Sequence, residues 1–223
     1  MVELKEITFI NEKSSFESSL KDFPKEQRLR IVSVYEFAQK VQIGGVRDSG
    51  EPYYKHPKNV ALILLDECKV RDPDIIVAAL LHDVAEDTTV FGDMYCSRLE
   101  KQSNIARHRR IGRESAKIII DVTKPVIINP YGLIVKDEKN VEYHGILENV
   151  GPKSLLVKMA DVLHNARTLN FTDSEKQHRK VMEIEEFYLP LFKKKVLVSY
   201  PDEGKYLLKE IKIAIQNVRN GWE

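Results

Sequence analysis

The sequence predicts an all-α fold, arranged as a single helical bundle of about eight to ten helices. Three observations favour this fold class. Apolar residues recur at steps of three and four along most of the chain, several segments begin with proline next to a capping residue, and segments of alternating polarity are sparse. With 223 residues, 43% of them hydrophobic, the chain can bury a sizeable core.

The first predicted helices flank a loop. In residues 28–41, RLRIVSVYEFAQKV, apolar side chains recur at helical spacing. Residues 44–57, GGVRDSGEPYYKHP, contain three glycines and two prolines, a composition typical of a loop. Pro57 can then begin the next helix, because proline is tolerated in a first turn.

The next two helices lie further along the chain. Asp72 can cap a helix and Pro73 presets its first backbone angle, so this pair predicts a helix through DIIVAALLHDVAED, residues 74–87. Thr88 and Gly92 indicate where that helix ends. Residues 112–123, GRESAKIIIDVT, also predict a helix, although the apolar run alone would fit a strand.

Residues 125–151 contain two prolines and three glycines among scattered charges, which predicts an irregular segment that could cover a site as a lid. Helices return at 153–169, at 174–195 with an interruption at Pro190, and at 202–219. We therefore predict an N-terminal extension over 1–25, the main domain over 26–195, and over 196–223 a C-terminal helix packing on that domain.

Composition limits the partners. The formal net charge is +1, and the basic run ARHRR at 106–110 has no interleaved aromatic residues, so we expect no nucleic-acid partner. No apolar stretch is long enough to span a membrane, and the N-terminus does not resemble a signal peptide. Two cysteines outside any CxxC pair fit a cytoplasmic protein. The sequence leaves the oligomeric state open.

The strongest chemical signal is AALLHDVAEDT at 78–88, where an apolar run leads into four polar groups. On a helix, His82 and Glu86 are four apart, as are Asp83 and Asp87, so these side chains converge on one patch. Buried carboxylates are costly unless a cation compensates them. Imidazole and carboxylate together are suitable ligands for a divalent metal, so the motif predicts a metal site.

Two other segments carry candidate ligands. In KMADVLHNART, residues 158–168, Asp161 and Asn165 are four apart on one helix face, a pair that alone fits a surface position as well as a site. His56 stands directly before Pro57 in the predicted loop. His164 is predicted to be structural, because its angular offset puts it at the edge of the Asp161 face.

These residues together resemble a known family. The order His56, His82-Asp83, Asp161 resembles the ligand pattern of the HD-domain metal-dependent phosphohydrolases. The segments SGEPYYKHPKNVALIL, AALLHDVAEDT, VTK, LVKMADVLHNARTL and FYLPLF resemble the hydrolase domain of RelA/SpoT-type alarmone enzymes, across roughly residues 28–195. The resemblance implies an HD-domain helical bundle in which His56, His82, Asp83 and Asp161 hold one Mn²⁺ ion.

The resemblance also implies a reaction, in which the 3′-pyrophosphate of guanosine tetra- or pentaphosphate is removed, so that ppGpp yields GDP and pyrophosphate. The substrate is thus a small nucleotide, and we expect a hydrolase-only protein, because no synthetase segment follows before Glu223. The implied catalytic residues, which position and activate water, are Glu86 and Asp87. The implied substrate-binding residues are Arg47, stacked on guanine, with Ser49 beside it, Asn165 near the sugar-phosphate, and Lys158 as a candidate phosphate contact.

Four positions depart from the family pattern, all in segments expected to touch the substrate: Gln42, Gly45, Asp48 and Val162. They motivate an alternative, an HD-domain phosphohydrolase acting on a different nucleotide or phosphorylated metabolite. A non-catalytic binding domain is a third hypothesis, although such a domain is expected to have lost ligands and all four are present. The residues alone do not choose among Mn²⁺, Fe²⁺, Co²⁺ and Zn²⁺.

Overall fold

The computed structural model describes residues 13–42, 44–126 and 137–222. Within these ranges the chain is predominantly helical, and extended pairing is limited to one isolated bridge between Val46 and Pro52. The all-α prediction is therefore confirmed. Residues 13–18 are helical. The α-helices that follow are α1 (Lys25–Val41), α2 (Lys55–Leu62), α3 (Pro73–Leu81), α4 (Val84–Asp87), α5 (Arg98–Arg107), α6 (Arg113–Val122), α7 (Asp137–Asn149), α8 (Pro152–Arg167), α9 (Ser174–Glu183), α10 (Leu189–Lys195) and α11 (Pro201–Arg219).

Helix α3 lies at the centre of the bundle. Its start is the one that the sequence predicts: the Asp72 carboxylate accepts a hydrogen bond from the Asp74 amide at 2.9 Å, and Pro73 occupies the first turn. The seven residues from Ile75 to Leu81 are all apolar and all buried. They are buried on every side because α1, α2, α6 and α8 all pack against this helix.

The predicted continuous helix over 74–87 is wrong at its centre. The structure ends α3 at Leu81 and begins the short helix α4 at Val84, with His82 and Asp83 in the turn between them. The His82 ring nitrogen Nδ1 lies 2.8 Å from the Ala79 carbonyl oxygen, the acceptor that the Asp83 amide would use in a continuous helix. A side chain thus competes for the helical hydrogen bond.

Two further segments settle questions that the sequence raised. Residues 113–122 form helix α6 rather than a strand, and Arg98 binds its C-terminal end by donating to the carbonyl oxygens of Thr123 and Ile120. The prediction that 125–151 is irregular is wrong for 137–149, which form α7. Its Tyr143 is fully buried and donates to the Val122 carbonyl oxygen at 2.6 Å, so tertiary packing outweighs the weak helical pattern. Residues 127–136 lie outside the described residues, and the lid stays a prediction.

Both ends of the described part of the chain pack on the central bundle. Phe16 is fully buried, with its ring 4.7 Å from that of Tyr35 on α1. Helix α11 lies against α8, and Arg167 at the end of α8 forms ion pairs with Glu67 at 2.7 Å and with Glu210 of α11 at 3.1 Å. The division into an extension, a main domain and a C-terminal helix stays a prediction.

The helix predicted over 174–195 continues through Pro190 rather than stopping there. A π-helical turn, Ile184–Tyr188, comes directly before α10, whose first turn contains Pro190. A proline has no amide hydrogen and disrupts an α-helical ladder, and the changed hydrogen-bond register avoids that conflict. Trp222 packs beside α9, with its ring stacked 3.8 Å from that of His178 and its Nε1 donating to the Gln177 Oε1 at 2.9 Å.

No helix in the described part of the chain combines the length and the apolar composition needed to cross a bilayer. The cytoplasmic location expected from the sequence stays a prediction.

Candidate functional site

Four donor groups from three helical segments converge at one point. His56 lies in the first turn of α2, so the prediction that it stands in a loop is wrong. His82 and Asp83 lie in the turn after α3, and Asp161 lies on α8. The Nε2 atoms of His56 and His82 are 3.2 Å apart, and each lies within 3.6 Å of the Asp161 Oδ1. An Asp83 carboxylate oxygen lies 3.2 Å from the His82 Nε2 and another lies 3.4 Å from that of His56. Residues distant in sequence therefore form one compact cluster.

The cluster is buried, and its charges depend on one another. Burial lowers the pKa of the His56 imidazole to about 3. Burial also disfavours charge on His82, but the nearby carboxylates of Asp83 and Asp161 raise the His82 pKa to about 9. Burial raises the pKa of Asp83 to about 6. Burial opposes ionisation of Asp161 as well, yet the Lys158 ammonium and both imidazoles hold its pKa well below the usual range. Two buried carboxylates thus demand positive charge.

A divalent cation satisfies that demand, and the donor set fits one. Ligand atoms of His56, His82 and Asp161 all lie within 4.8 Å of one another, a spacing at which one ion can contact all three. The Ala79 carbonyl oxygen can only accept, so the Nδ1 of His82 carries a proton, and in the neutral ring the Nε2 lone pair faces the cluster. Asp83 adds a second carboxylate at comparable distances. The cluster can therefore hold a divalent metal ion.

The cluster lines a cavity of about 400 Å³. Every residue that the sequence predicts for the site lines this same cavity: His56, His82, Asp83, Asp161, Glu86, Asp87, Arg47, Ser49, Asn165 and Lys158. The structure thus brings all ten together, and the individual roles implied for them stay predictions.

The two carboxylates after the turn each have a neighbour. Glu86 accepts a hydrogen bond from the Lys124 backbone amide at 3.3 Å, and the Lys124 Nζ lies 4.0 Å from its other oxygen. Burial raises the pKa of Asp87, while a hydrogen bond from the Tyr53 hydroxyl opposes that rise. Both carboxylates are therefore held in place at the wall of the cavity.

A hydrogen-bond chain links the loop over residues 44–57 to the cluster of four donor groups. The Arg47 Nη2 donates to the Asn165 Oδ1 at 2.7 Å, and the Asn165 Nδ2 donates to the Asp161 Oδ1 at 2.6 Å. The Ser49 hydroxyl oxygen is buried and has no hydrogen-bond partner among the described residues, and Ser49 lies in the wall of the cavity.

Lys158 is buried and forms an ion pair with Asp161. Its Nζ donates to the Asp161 Oδ2 at 2.7 Å and lies 5.2 and 5.6 Å from the ring centres of Tyr143 and Tyr188. Only 8% of the residue is exposed. The Lys158 ammonium therefore favours the ionised form of Asp161, and the phosphate contact implied for Lys158 stays a prediction.

The four departures from the family pattern fall in different surroundings. Gln42 is buried but does not line the cavity. Gly45 leaves room for Tyr53, since a Cβ there would lie 3.0 Å from that residue's side chain. Asp48 stands on the loop and pairs with Lys176 of α9 at 2.6 Å, and Val162 contributes to the cavity wall.

Sequence reasoning missed several residues of the site. Tyr53, Tyr188 and three α9 side chains also line the cavity; those of α9 are Lys176, Lys180 and Glu183. Their spacing of four and three places them on one helix face, a signal that the sequence does contain. His164, predicted to be structural, is buried against the cluster, with its Nδ1 2.8 Å from that of His56.

Comparison with known proteins agrees with this geometry. The sequence profile of the family described as the HD domain matches residues 34–196. The chain belongs to the HD-domain family. This domain is 34% identical over 166 residues to a GTP pyrophosphokinase of Myxococcus xanthus, in a match covering 72% of this chain and 20% of that protein. It is 33% identical over 178 residues to a guanosine-3′,5′-bis(diphosphate) 3′-pyrophosphohydrolase of Aquifex aeolicus, covering 78% and 23%.

The bifunctional (p)ppGpp synthase/hydrolase SpoT of Escherichia coli K12 is 32% identical to it over 174 residues, covering 75% of this chain and 22% of SpoT. The chain thus spans about a fifth of the length of the curated relatives it matches. A solved structure, of a metazoan ortholog of SpoT that hydrolyzes ppGpp, superposes with a TM-score of 0.59 at 21% identity, covering 87% of this chain and 97% of that one. This superposition shows the shared HD-domain fold.

Proposed function

We propose that this HD domain is a metal-dependent hydrolase that removes the 3′-pyrophosphate of guanosine tetra- and pentaphosphate, releasing GDP and pyrophosphate from ppGpp. The observation that carries the proposal is the convergence of His56, His82, Asp83 and Asp161 at the wall of a cavity of about 400 Å³. The relatives named for this reaction support the choice of substrate.

We propose Mn²⁺ as the bound ion, held by the four donors of the cluster. A bound divalent cation supplies Lewis acidity, which lowers the pKa of a water molecule and offsets charge on phosphoryl oxygens. The Lys158 ammonium lowers the pKa of Asp161, so that this carboxylate is ionised and can bind a cation. In their neutral forms, both imidazoles would present Nε2 lone pairs toward the ion.

Glu86 and Asp87 are the proposed proton acceptors. A carboxylate within hydrogen-bond reach of water can orient it and take its proton. Lys124 donates to Glu86 through its backbone amide, and the Tyr53 hydroxyl donates to Asp87, so each carboxylate has a partner at the wall of the cavity. Their position directly after the turn that contains His82 and Asp83 supports this role, because a base there would lie close to the bound cation.

Arg47 is the proposed guanine contact. Its Nη2 donates to Asn165, and its Cζ lies over the Tyr53 ring, 5.9 Å from the ring centre. A planar guanidinium stacks well on a purine base, and Arg47 lines the cavity in which that base would lie. Asn165 and the buried Ser49 hydroxyl would contact the sugar-phosphate, and Lys158 would act near the phosphates through Asp161.

One observation favours a second candidate, hydrolysis of a different phosphorylated nucleotide. Asp48 pairs with Lys176 at 2.6 Å, so an acidic group stands at the cavity and neutralises a lysine that lines it. This pair makes the loop less attractive to a highly phosphorylated substrate than an unpaired Lys176 would be.

A product assay tests the proposal. Purified protein is incubated with ppGpp and Mn²⁺, with EDTA as the control, and the nucleotides are resolved by anion exchange. We expect GDP and pyrophosphate, abolished by EDTA. If metal-loaded protein leaves ppGpp intact but cleaves a nucleotide lacking a 3′-diphosphate, the second candidate replaces the first. If metal-loaded protein cleaves no member of a nucleotide panel, both candidates are wrong.

A further inference from the structure

His82 and His56 are held in different ways. The His82 Nδ1 donates to a backbone carbonyl oxygen, which can only accept, so its proton position is fixed. The His56 Nδ1 instead lies 2.8 Å from the Nδ1 of His164, another imidazole that can donate or accept. The ring nitrogen of His56 that carries the proton therefore depends on which ring nitrogen of His164 carries one.

The proton position on His164 depends in turn on its neighbour Asn59. Its side-chain amide lies one helical turn after His56 on α2 and 3.1 Å from the His164 Nε2. In the structure the Asn59 Nδ2 faces this nitrogen, and an amide nitrogen only donates, so the His164 Nε2 accepts. A neutral His164 then carries its proton on Nδ1 and donates it to the His56 Nδ1.

The consequence reaches the metal cluster. A neutral His56 that accepts at Nδ1 carries its proton on Nε2, where the Asp161 Oδ1 lies 3.1 Å away and can accept it. This arrangement is a satisfied hydrogen-bond chain, from Asn59 through His164 and His56 to Asp161. It also places a proton where a metal ion would need the His56 lone pair.

A half turn of the Asn59 amide reverses the chain. With its oxygen facing His164, Asn59 accepts from the Nε2, the His164 Nδ1 accepts from the His56 Nδ1, and the His56 Nε2 lone pair faces the cluster. Each imidazole keeps one proton and exchanges one ring N–H for the other, so no proton is gained or lost. The same three side chains thus support two complete hydrogen-bond orders.

We propose that His164 and Asn59 are positioning residues of the metal centre, which set the ring tautomer of His56, and that the Asn59 amide turns over when a divalent cation binds. The proposal rests on the metal centre of the proposed function and not on its nucleotide. Partners behind a ligating histidine are generally worth about 10- to 100-fold in metal affinity.

The first test measures Mn²⁺ affinity by calorimetry. We expect His164→Leu to weaken binding by about 10- to 100-fold. His164→Gln, whose side-chain oxygen can accept from the His56 Nδ1, should recover much of the loss. His108→Leu is the control, since that half-buried histidine packs on Phe37 outside the cluster. Equal Mn²⁺ affinity for the Leu and Gln variants at position 164 would overturn the positioning role.

Asn59 gives a second pair of variants. Asn59→Asp presents only acceptors, so it should bind Mn²⁺ at least as tightly as the unaltered protein. Asn59→Leu offers neither donor nor acceptor and should weaken binding, by about tenfold. The reverse order of these two affinities would contradict the proposed direction of the chain.

A third measurement needs no variant. Ring-nitrogen NMR of ¹⁵N-histidine-labelled protein distinguishes Nδ1–H from Nε2–H. We expect His56 to carry Nε2–H without metal and Nδ1–H when loaded with diamagnetic Zn²⁺. The same tautomer in both states would overturn the amide turnover. Protein that binds no divalent ion overturns this inference together with the metal centre, whereas protein that binds Mn²⁺ but spares ppGpp leaves the inference standing.

Discussion

The base and the rim of the cavity are built on different principles. At the base, His56, His82 and Asp161 are each less than 5% exposed and lie on or beside central helices. At the rim, Asp48 and Lys176 are joined by an exposed ion pair between a loop and α9. Buried donors that contact one another are held in a defined geometry. Exposed ion pairs contribute little to the free energy of unfolding and can be replaced at small cost. The base therefore sets the chemistry, and the rim is where a change of substrate costs the fold least.

The largest effect is expected at the base. Asp83→Asn removes a carboxylate of the cluster, so metal content and hydrolysis should fall to the level of EDTA-treated protein. Mn²⁺ at 100 times its dissociation constant stabilises a folded protein by about 2.7 kcal/mol. Melting curves should show that increase for the unaltered protein and not for Asp83→Asn. The exposed residue Asp202 on α11 supplies the control variant, Asp202→Asn, which should retain the full metal response.

Glu86 separates chemistry from metal binding. Glu86→Gln keeps the shape of the side chain but removes the proton acceptor, so kcat should fall by about 10²- to 10⁴-fold. Metal content, measured by atomic absorption, should stay at that of the unaltered protein. Loss of the ion from Glu86→Gln would place this carboxylate with the metal ligands instead.

Arg47 lies between base and rim, since it bonds to Asn165 and faces the open cavity. Arg47→Lys keeps the charge but loses the flat guanidinium, so KM for ppGpp should rise roughly 3- to 30-fold with little change in kcat. Steady-state kinetics with both constants fitted provides the measurement. A fall in kcat alone would mean that Arg47 acts on Asp161 through Asn165 rather than by stacking on the guanine ring.

The smallest effect is expected at the rim. Asp48→Asn frees Lys176, so KM for a tetraphosphate substrate should fall by about 2- to 5-fold, in proportion to a surface ion pair. The gain should disappear in high salt, because exposed charges are screened. Lys176→Met is the matched control and should raise KM. A rise in KM for Asp48→Asn would show that Asp48 contacts the substrate directly.

The base of the site was also the part most predictable from sequence. The apolar run of α3 and the capping pair Asp72-Pro73 are local signals, and they correctly place His82 and Asp83 at the end of a buried helix. The spacing of Asp161 and Asn165 likewise predicts a shared face, and the two side chains do hydrogen-bond. Local periodicity carries this information because each motif lies on or next to one helix.

What the sequence could not predict depends on contacts between distant segments. The break after Leu81 requires His82 to take the Ala79 carbonyl, a choice that a helical pattern does not reveal. The deep burial of Lys158 depends on Tyr143 and Tyr188 from other helices. The partnership of His164 with His56 joins residues 108 positions apart, so His164 alone could be predicted only as structural.

The single tryptophan of the chain, Trp222, gives the molecule its own optical reporter. Its indole stacks on His178 and bonds to Gln177, one turn or less from Lys176 at the cavity. Emission from this one fluorophore therefore monitors helix α9. We expect a nucleotide that binds at the rim to change this emission in unlabelled protein, whereas metal binding at the base, on other helices, should leave the emission unchanged.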